Sequence, residues 1–394
     1  MSDVPTPGWD AVLLAGFGGP EGPDDVTPFL RNVTRGRGIP EERLVEVSHH
    51  YLALGGVSPI NDQNRALRDA LSAELTRRGI DLPVLWGNRN WQPFVAEVLT
   101  EAHAAGQDRL LGLATSAYSS YSGCRQYRED FGKALLATDL VGEMRIDKIR
   151  HYYNHPGFLM PFADGTAAAV TAALDAGLAP ADVEIVFTTH SIPDVMALSS
   201  GPEGTPAPGN YVSQHLAACG VVIDELAARG LPVVGWQLGY QSRSGPPQMP
   251  WLEPDINDII DGLAEAGRRG VIVVPIGFIS DHVEVVWDLD NEAKETAAKH
   301  DLFFARVATP GVDPRFVGAL VDLIAERLDP SLPKVAITDA GPSPDRCGRN
   351  CCRNLRGPQP TTSAVDSAGD WDGLAVDPAR LVASGIAGAV DVPA

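Results

Sequence analysis

The chain has 394 residues, of which 44% are apolar, and a formal net charge of −20. That apolar content excludes disorder of the chain as a whole and allows sizeable cores in two or three domains. The charge excludes a general nucleic-acid binder and adsorption to an anionic membrane, so an anionic substrate could be held only through a local basic patch.

In chain order, residues 1–10 carry acid and proline rather than a basic stretch followed by an apolar one, so no secretory signal is expected. Residues 11–17 read as a strand followed by the turn Gly18-Gly19-Pro20. A helix is expected over 61–78, a strand over 82–86, a helix over 93–105 and a strand over 109–115. An alanine-rich helix over 157–176, with little room for a charged face, precedes a strand over 183–187 and a helix over 211–229. Then come a strand over 231–236, a helix over 254–267, a strand over 271–276 and a helix over 282–300. A strand over 302–307 and a helix over 313–328 complete the series. This alternation implies an α/β fold of parallel sheets covered by helices, arranged as two doubly wound, Rossmann-like halves. The expected domains are residues 1–155, residues 156–331 and a cysteine-bearing extension, 332–394, whose last part, 366–394, reads as a loosely packed tail. No apolar run approaches the roughly 20 residues of a membrane span, so a cytoplasmic protein without stable membrane insertion is expected.

The strand over 183–187 delivers Thr188-Thr189-His190-Ser191-Ile192-Pro193 at its end. In open α/β sheets ligands bind outside the carboxyl ends of the strands. A histidine there can accept protons near neutral pH or ligate a transition metal, or it can simply hydrogen-bond its own loop. A second strand, over 271–276, runs into Gly277-Phe278-Ile279-Ser280-Asp281-His282-Val283-Glu284. Glu284, Asp288 and Glu292 follow four apart, on one face of a helix. Such a carboxylate row either points into water or works on cations; a slight overwinding or a π-bulge would tune its alignment. Its apolar neighbours Val283, Val285, Val286 and Trp287 suggest a partly buried element. Imidazole and carboxylate together suit divalent iron and can also take up protons.

The loop from Gln241 to Trp251 reads as the rim of a site or as an ordinary connection. Gly16-Phe17-Gly18-Gly19-Pro20 lacks the spacing of a nucleotide loop. Arg31, Arg35 and Arg37, with no acid before Glu41, could hold carboxylates or form a solvated loop. Five cysteines, an odd number, argue against a disulfide framework. Cys347, Cys351 and Cys352 crowd one place, so a fourth ligand for a zinc or an iron–sulfur cluster must come from afar, from Cys124 or Cys219. Cys219 reads as a core residue.

These motifs resemble the ferrochelatase family. The matching segments are Thr188 to Pro193, Gly277 to Glu292, Gln241 to Pro246 with Pro250-Trp251-Leu252, and Gly56 to Ile60, in family order over residues 11–328. The resemblance implies insertion of Fe²⁺ into a porphyrin held in a cleft between two Rossmann-like halves. It implies that His190 and Glu284 handle iron and protons, that Asp288 and Glu292 lead metal toward the cleft, and that Ser58 and Tyr127 contact the porphyrin. It also implies a [2Fe–2S] cluster on Cys124, Cys347, Cys351 and Cys352, although the adjacent pair Cys351-Cys352 departs from the wider spacing of several members. Phe17 stands where some coproporphyrin-using members carry a metal-reaching tyrosine, so that contact should be missing. With no membrane-binding segment and with its arginine-rich stretch, the chain is expected to use coproporphyrin III. Its product, coproheme, would pass to a decarboxylase in heme biosynthesis. The alternatives are a protoporphyrin IX ferrochelatase, a cobalt-inserting variant, and a non-catalytic tetrapyrrole or iron–sulfur sensor on the same scaffold.

Overall fold

Runs of Val, Leu, Ile and Ala with no polar alternation make strands that must be covered on both faces, and parallel sheets result. The computed structural model describes residues 8–362 apart from Arg37, Val233, Pro246, Pro247, Arg349 and Pro358; the tail expected over 366–394 lies outside the described residues. The first sheet is built from β1 (Ala11–Gly16), β2 (Val84–Asn88), β3 (Arg109–Ala114) and β4 (Arg145–Lys148), in the order β2-β1-β3-β4. The second uses β5 (Val183–His190), β6 (Gly235–Gln241), β7 (Gly270–Val274) and β8 (Phe303–Arg306), in the order β6-β5-β7-β8. All six pairings are parallel. In each sheet the strand order reverses beside the first strand, between β1 and β3 and between β5 and β7, which creates a ligand-binding crevice at the carboxyl ends there.

The first half carries helices α1 (Val26–Thr34), α2 (Glu41–Ala53), α3 (Ile60–Arg77), α4 (Val95–Ala104) and α5 (Gln126–Ala137). The second carries α6 (Pro156–Asp175), α7 (Asp194–Leu198), α8 (Asn210–Ala228) and α9 (Ile256–Glu265). It continues with α10 (Val283–Val285), α11 (Lys294–Lys299) and α12 (Pro314–Leu328). By length and composition α6 could cross a membrane, yet Phe158, Leu159, Phe162, Ala163 and Val170 are buried in the protein's own core. That core is continuous between the sheets, joining Val12, Leu14 and Leu71 of the first half to Phe187, Ile272 and Leu323 beyond it. The last helix, α12, packs on both α3 and α6. Its Glu326 makes a bidentate pair with Arg150, 2.7 Å on each side, with both side chains almost wholly buried.

Most expected elements form within a few residues of their predicted ends, with three informative differences. β6 lies at Gly235–Gln241 rather than 231–236, because Pro232 offers no ladder N–H. β5 runs on past Phe187, and His190 is itself the last strand residue, opposite Gln241. The stretch 31–43 is helical rather than a loop, apart from the turn between α1 and α2. There Arg31 pairs with Glu41 at 2.6 Å and Arg43 with Glu46 at 2.6 Å. Those charges are therefore engaged locally; Arg37 lies outside the described residues.

Candidate active site and cysteine cluster

β5 and β7 flank the reversal of the second sheet, and each leads to one side of an imidazole–carboxylate pair. At the end of β5, His190 Nδ1 lies 2.5 Å from the Ser191 carbonyl. A carbonyl only accepts, so Nδ1 carries the proton and Nε2 presents a lone pair. That Nε2 lies 3.7 Å from Glu284 Oε2, with the imidazole 32% and the carboxylate 44% exposed, so a solute can reach both. Two lone-pair donors face each other there, and a proton or a divalent cation between them satisfies both. His282 Nδ1 lies 4.0 Å from the same carboxylate oxygen, and burial holds its imidazole below the ordinary range. A Cβ at Gly277 would stand 2.1 Å from Thr189 Oγ1; only glycine lets the loop after β7 close onto the end of β5.

The helix after Glu284 widens into a π-helix over Val286–Ala293. Wider turns bring residues four apart nearer to alignment, and such segments concentrate at functional sites. Asp288 is pushed up to about 7, first by burial and then by the charges of Glu284 and Glu292, against hydrogen bonds from Ser242 and Gln241. Ser242 takes a left-handed backbone, φ 61°, to deliver its hydroxyl. Glu292 accepts the Trp287 indole N–H at 2.8 Å, and that indole stacks on His50 of α2 at 4.5 Å. Tyr51, also on α2, is buried, and its hydroxyl is held well above its ordinary range by burial and by Glu284 and Asp288. Val283 completes the apolar cluster beneath the α1–α2 pair, with Phe29, Leu30, Leu44 and Tyr51. The first half thus roofs the carboxylate row of the second.

Ser58 and Tyr127 sit at the carboxyl edge of the first sheet. Ser58 is buried, its N–H donating to the Pro20 carbonyl at 2.8 Å. The Tyr127 ring lies under Arg89, 4.3 Å from ring centre to guanidinium carbon, and its hydroxyl is 3.4 Å from Thr115 Oγ1. Arg89 also lies 6.0 Å from the Phe17 ring and pairs with Asp130 at 2.5 Å. The two edges are joined where Tyr118 OH donates to the Ile276 carbonyl at 3.0 Å and Asp281 N–H to Gln63 Oε1 at 2.9 Å.

Cys124, Cys347, Cys351 and Cys352 form one contact group of unbonded sulfurs. Cys124 rides a second π-turn, Tyr121–Arg125, after β3. Cys219 is fully buried in the apolar core, where burial pushes its thiol well up. Within the group, Cys124 and Cys351 are held down, Cys351 to about 4, by hydrogen bonds from neighbouring thiols, while Cys347 and Cys352 are raised. Arg128, Lys148, His151 and Cys347 line a cavity of about 10 Å³ beside the sulfurs. Both terminal nitrogens of Arg128 and both ring nitrogens of His151 are buried there without a hydrogen-bond partner. In a chain of charge −20, a buried guanidinium whose terminal nitrogens lack partners, beside four sulfurs, fits a group that keeps all four as thiolates.

Sequence reasoning passed over His282, Tyr51 and Arg89. His282 could have been found two positions before Glu284 in its own motif; Tyr51 and Arg89 carried no spacing signal and are brought in by tertiary packing.

Fold and site together define an α/β protein of two parallel sheets with an imidazole–carboxylate pair at a strand-order reversal. The sequence matches the family model described as Ferrochelatase over residues 9–328. It is 56% identical over 360 residues to a coproporphyrin III ferrochelatase of Leifsonia xyli subsp. xyli, covering 88% of this chain and 92% of that one. It is 50% identical over 379 residues to a coproporphyrin III ferrochelatase of Streptomyces griseus subsp. griseus, covering 93% and 99%. A coproporphyrin III ferrochelatase of Tropheryma whipplei is 51% identical over 352 residues, covering 88% and 90%. Among solved structures, SirB from Bacillus subtilis with Fe3+ superposes with a TM-score of 0.46 at 11% identity, over 82% of this chain and 97% of that one. The chain belongs to the ferrochelatase family.

Proposed function

We propose that the protein inserts Fe²⁺ into coproporphyrin III, releasing two protons and giving coproheme for a decarboxylase that completes heme, in the cytoplasm. Relatives of that name at 50–56% identity over most of the chain support the substrate. The observation that carries the chemistry is the 3.7 Å separation of His190 Nε2 from Glu284 Oε2.

The porphyrin must lose two pyrrole protons as iron enters. His190, its Nδ1–H held by Ser191, offers one lone pair at Nε2 for iron or for a proton. Glu284 offers a carboxylate to the other. Asp288, at about 7, exists in both forms near neutral pH and can pass a proton along the row, while Glu292 extends that row as a path for metal. Ser58 and Tyr127 contact the macrocycle from the first sheet, and Phe17, without a donor atom, leaves the product's metal untouched on its side. Anaerobic Fe²⁺ insertion with coproporphyrin III and protoporphyrin IX side by side is the test. Faster turnover of coproporphyrin III is expected; turnover of protoporphyrin IX alone would reassign the substrate.

Cys124, Cys347, Cys351 and Cys352 hold a [2Fe–2S] cluster on this reading, supported by four sulfurs in contact and by the buried terminal nitrogens of Arg128 and ring nitrogens of His151, which have no hydrogen-bond partner. The bound cluster would supply one-electron chemistry and a cross-link between the extension and the first half. Purified protein should be brown, with visible absorption lost in Cys347→Ser; colourless protein holding stoichiometric zinc would refute the cluster.

A further inference from the structure

One side chain outside the pair ties its imidazole to the cysteine loop. The Tyr211 hydroxyl, at the start of α8, donates to the His190 carbonyl at 2.7 Å and lies 2.8 Å from Thr189 Oγ1. A phenol has one proton to give, so Thr189 is the donor in the second bond. Both partners are the last residues of β5, and the phenol therefore fixes the end of that strand from outside its ladder. The backbone of the same residue is held as firmly: Tyr211 N–H donates to Ser200 Oγ at 2.7 Å, and Ser200 Oγ donates to the Ala197 carbonyl at 2.5 Å. Asn210 N–H donates to the Ser200 carbonyl at 3.1 Å.

The next residue, Gly201, is bonded to the cysteine loop in both directions. Cys352 N–H donates to the Gly201 carbonyl at 2.8 Å, and Gly201 N–H donates to Cys352 Sγ at 3.1 Å. The far end of the segment between is closely packed. Gly209 takes φ 86°, and a Cβ on it would stand 2.0 Å from the Ala197 carbonyl oxygen. A shift at Cys352 therefore passes to Ser200, then to Tyr211, and from its hydroxyl to the residue that aims the imidazole.

We propose that Tyr211 is a positioning residue for His190, and that the hydrogen-bonded run Cys352–Gly201–Ser200–Tyr211 couples the cysteine loop to the orientation of that imidazole. The kinetic part rests on the chelatase reading above; the coupling itself is readable without turnover. The test uses the full chain with ¹⁵N-labelled histidines, His190 being assigned by the signals missing in His190→Ala. In Tyr211→Phe, which keeps the ring, the His190 imidazole signals should move. Turnover of Fe²⁺ should fall roughly tenfold to a hundredfold, with KM for the porphyrin unchanged. Cys352→Ser should move the same signals when the Tyr211 hydroxyl is present and leave them in place when it is absent, a double-mutant cycle across the run. If Cys352→Ser does not fold, Ser200→Ala takes its place, since it touches neither thiol nor imidazole. Unmoved His190 signals in Tyr211→Phe would overturn the proposal. So would equal movement on Cys352→Ser, or on Ser200→Ala in its place, with and without the hydroxyl. A wild-type chain that fails to insert iron would refute the chelatase reading, and the resonance shifts would still decide the coupling.

Discussion

The two sheets share one strand order, β2-β1-β3-β4 against β6-β5-β7-β8, and yet their equivalent positions carry different chemistry. The first strand of each ends at the reversal: β1 in Gly16 followed by Phe17, β5 in His190. The third strand of each leads to a π-helical turn: after β3 it carries Cys124, and after β7 it carries Asp288 and Glu292, with Glu284 just before. One topology thus ends in an aromatic group, Phe17 and Tyr127 about the Arg89–Asp130 pair, in one half and in a pair of lone-pair donors in the other. The difference teaches that the fold fixes where side chains can act, whereas the chemistry resides in the few residues placed at the strand ends.

Exchanging losses between the halves is the sharpest way to break this comparison. His190→Ala should lower the rate of iron insertion by about 10²–10⁴-fold, whereas Phe17→Ala at the equivalent strand end should spare turnover and weaken porphyrin binding. Steady-state kinetics with both variants decides it, and equal kcat losses would mean that the halves share the proton chemistry. The joint between the halves is tested by Glu326→Ala. It leaves Arg150 buried and unpaired and should destabilise the protein by about 3–5 kcal/mol in urea unfolding.

A smaller effect is expected from His215, which stacks on Tyr118 of the first half at 3.6 Å and is held down to about 3 by burial. The unfolded imidazole takes a proton below its ordinary value of about 6.5 while the folded one stays neutral. Stability is therefore complete above that value and falls as the pH drops toward about 3. From pH 6.5 to about pH 5 the loss should be about 2 kcal/mol. The comparison of urea curves with those of His215→Gln checks this, since the variant should lose less. Smallest of all, Phe17→Tyr should leave the insertion rate unchanged and add a phenolate band to the absorption of bound iron porphyrin. An unaltered spectrum would mean that position 17 does not face the metal.

Legibility in the sequence followed the physics of each element. β1, β5 and β7 were readable because strands buried on both faces are unbroken apolar runs, and the histidine at the end of β5 stood out against them. β4 was unreadable: Arg145-Ile146-Asp147-Lys148 is an edge strand, and Asp147 is neutralised by Arg145, Arg327 and Arg346, two of them distant in sequence. β6 was misplaced because Gln237 and Gln241 break its apolar run, Gln241 reaching from the strand to Asp288. Helices α1 and α2 escaped because their arginines suggested solvent, while the residues that bury them, Phe29, Leu30, Leu44 and Tyr51, pack on one another and on Phe17, Trp91 and Val283, which lie far apart in the sequence. The spacing of Glu284, Asp288 and Glu292 announced a helix face, while its choice between overwinding and the π-helix it adopts was left open. Cys219 was legible as a core residue and the resemblance singled out Cys124; the structure puts Cys124 against the other three cysteines and Cys219 in the apolar core.

The lock on His190 Nδ1 has a consequence for the order of events. With that nitrogen committed to the Ser191 carbonyl, the ring has a single vacancy, and a proton and a metal ion are rivals for it. Whichever arrives first bars the other, so the residue works as a turnstile rather than a meeting place. Acid should therefore compete directly with metal at this nitrogen.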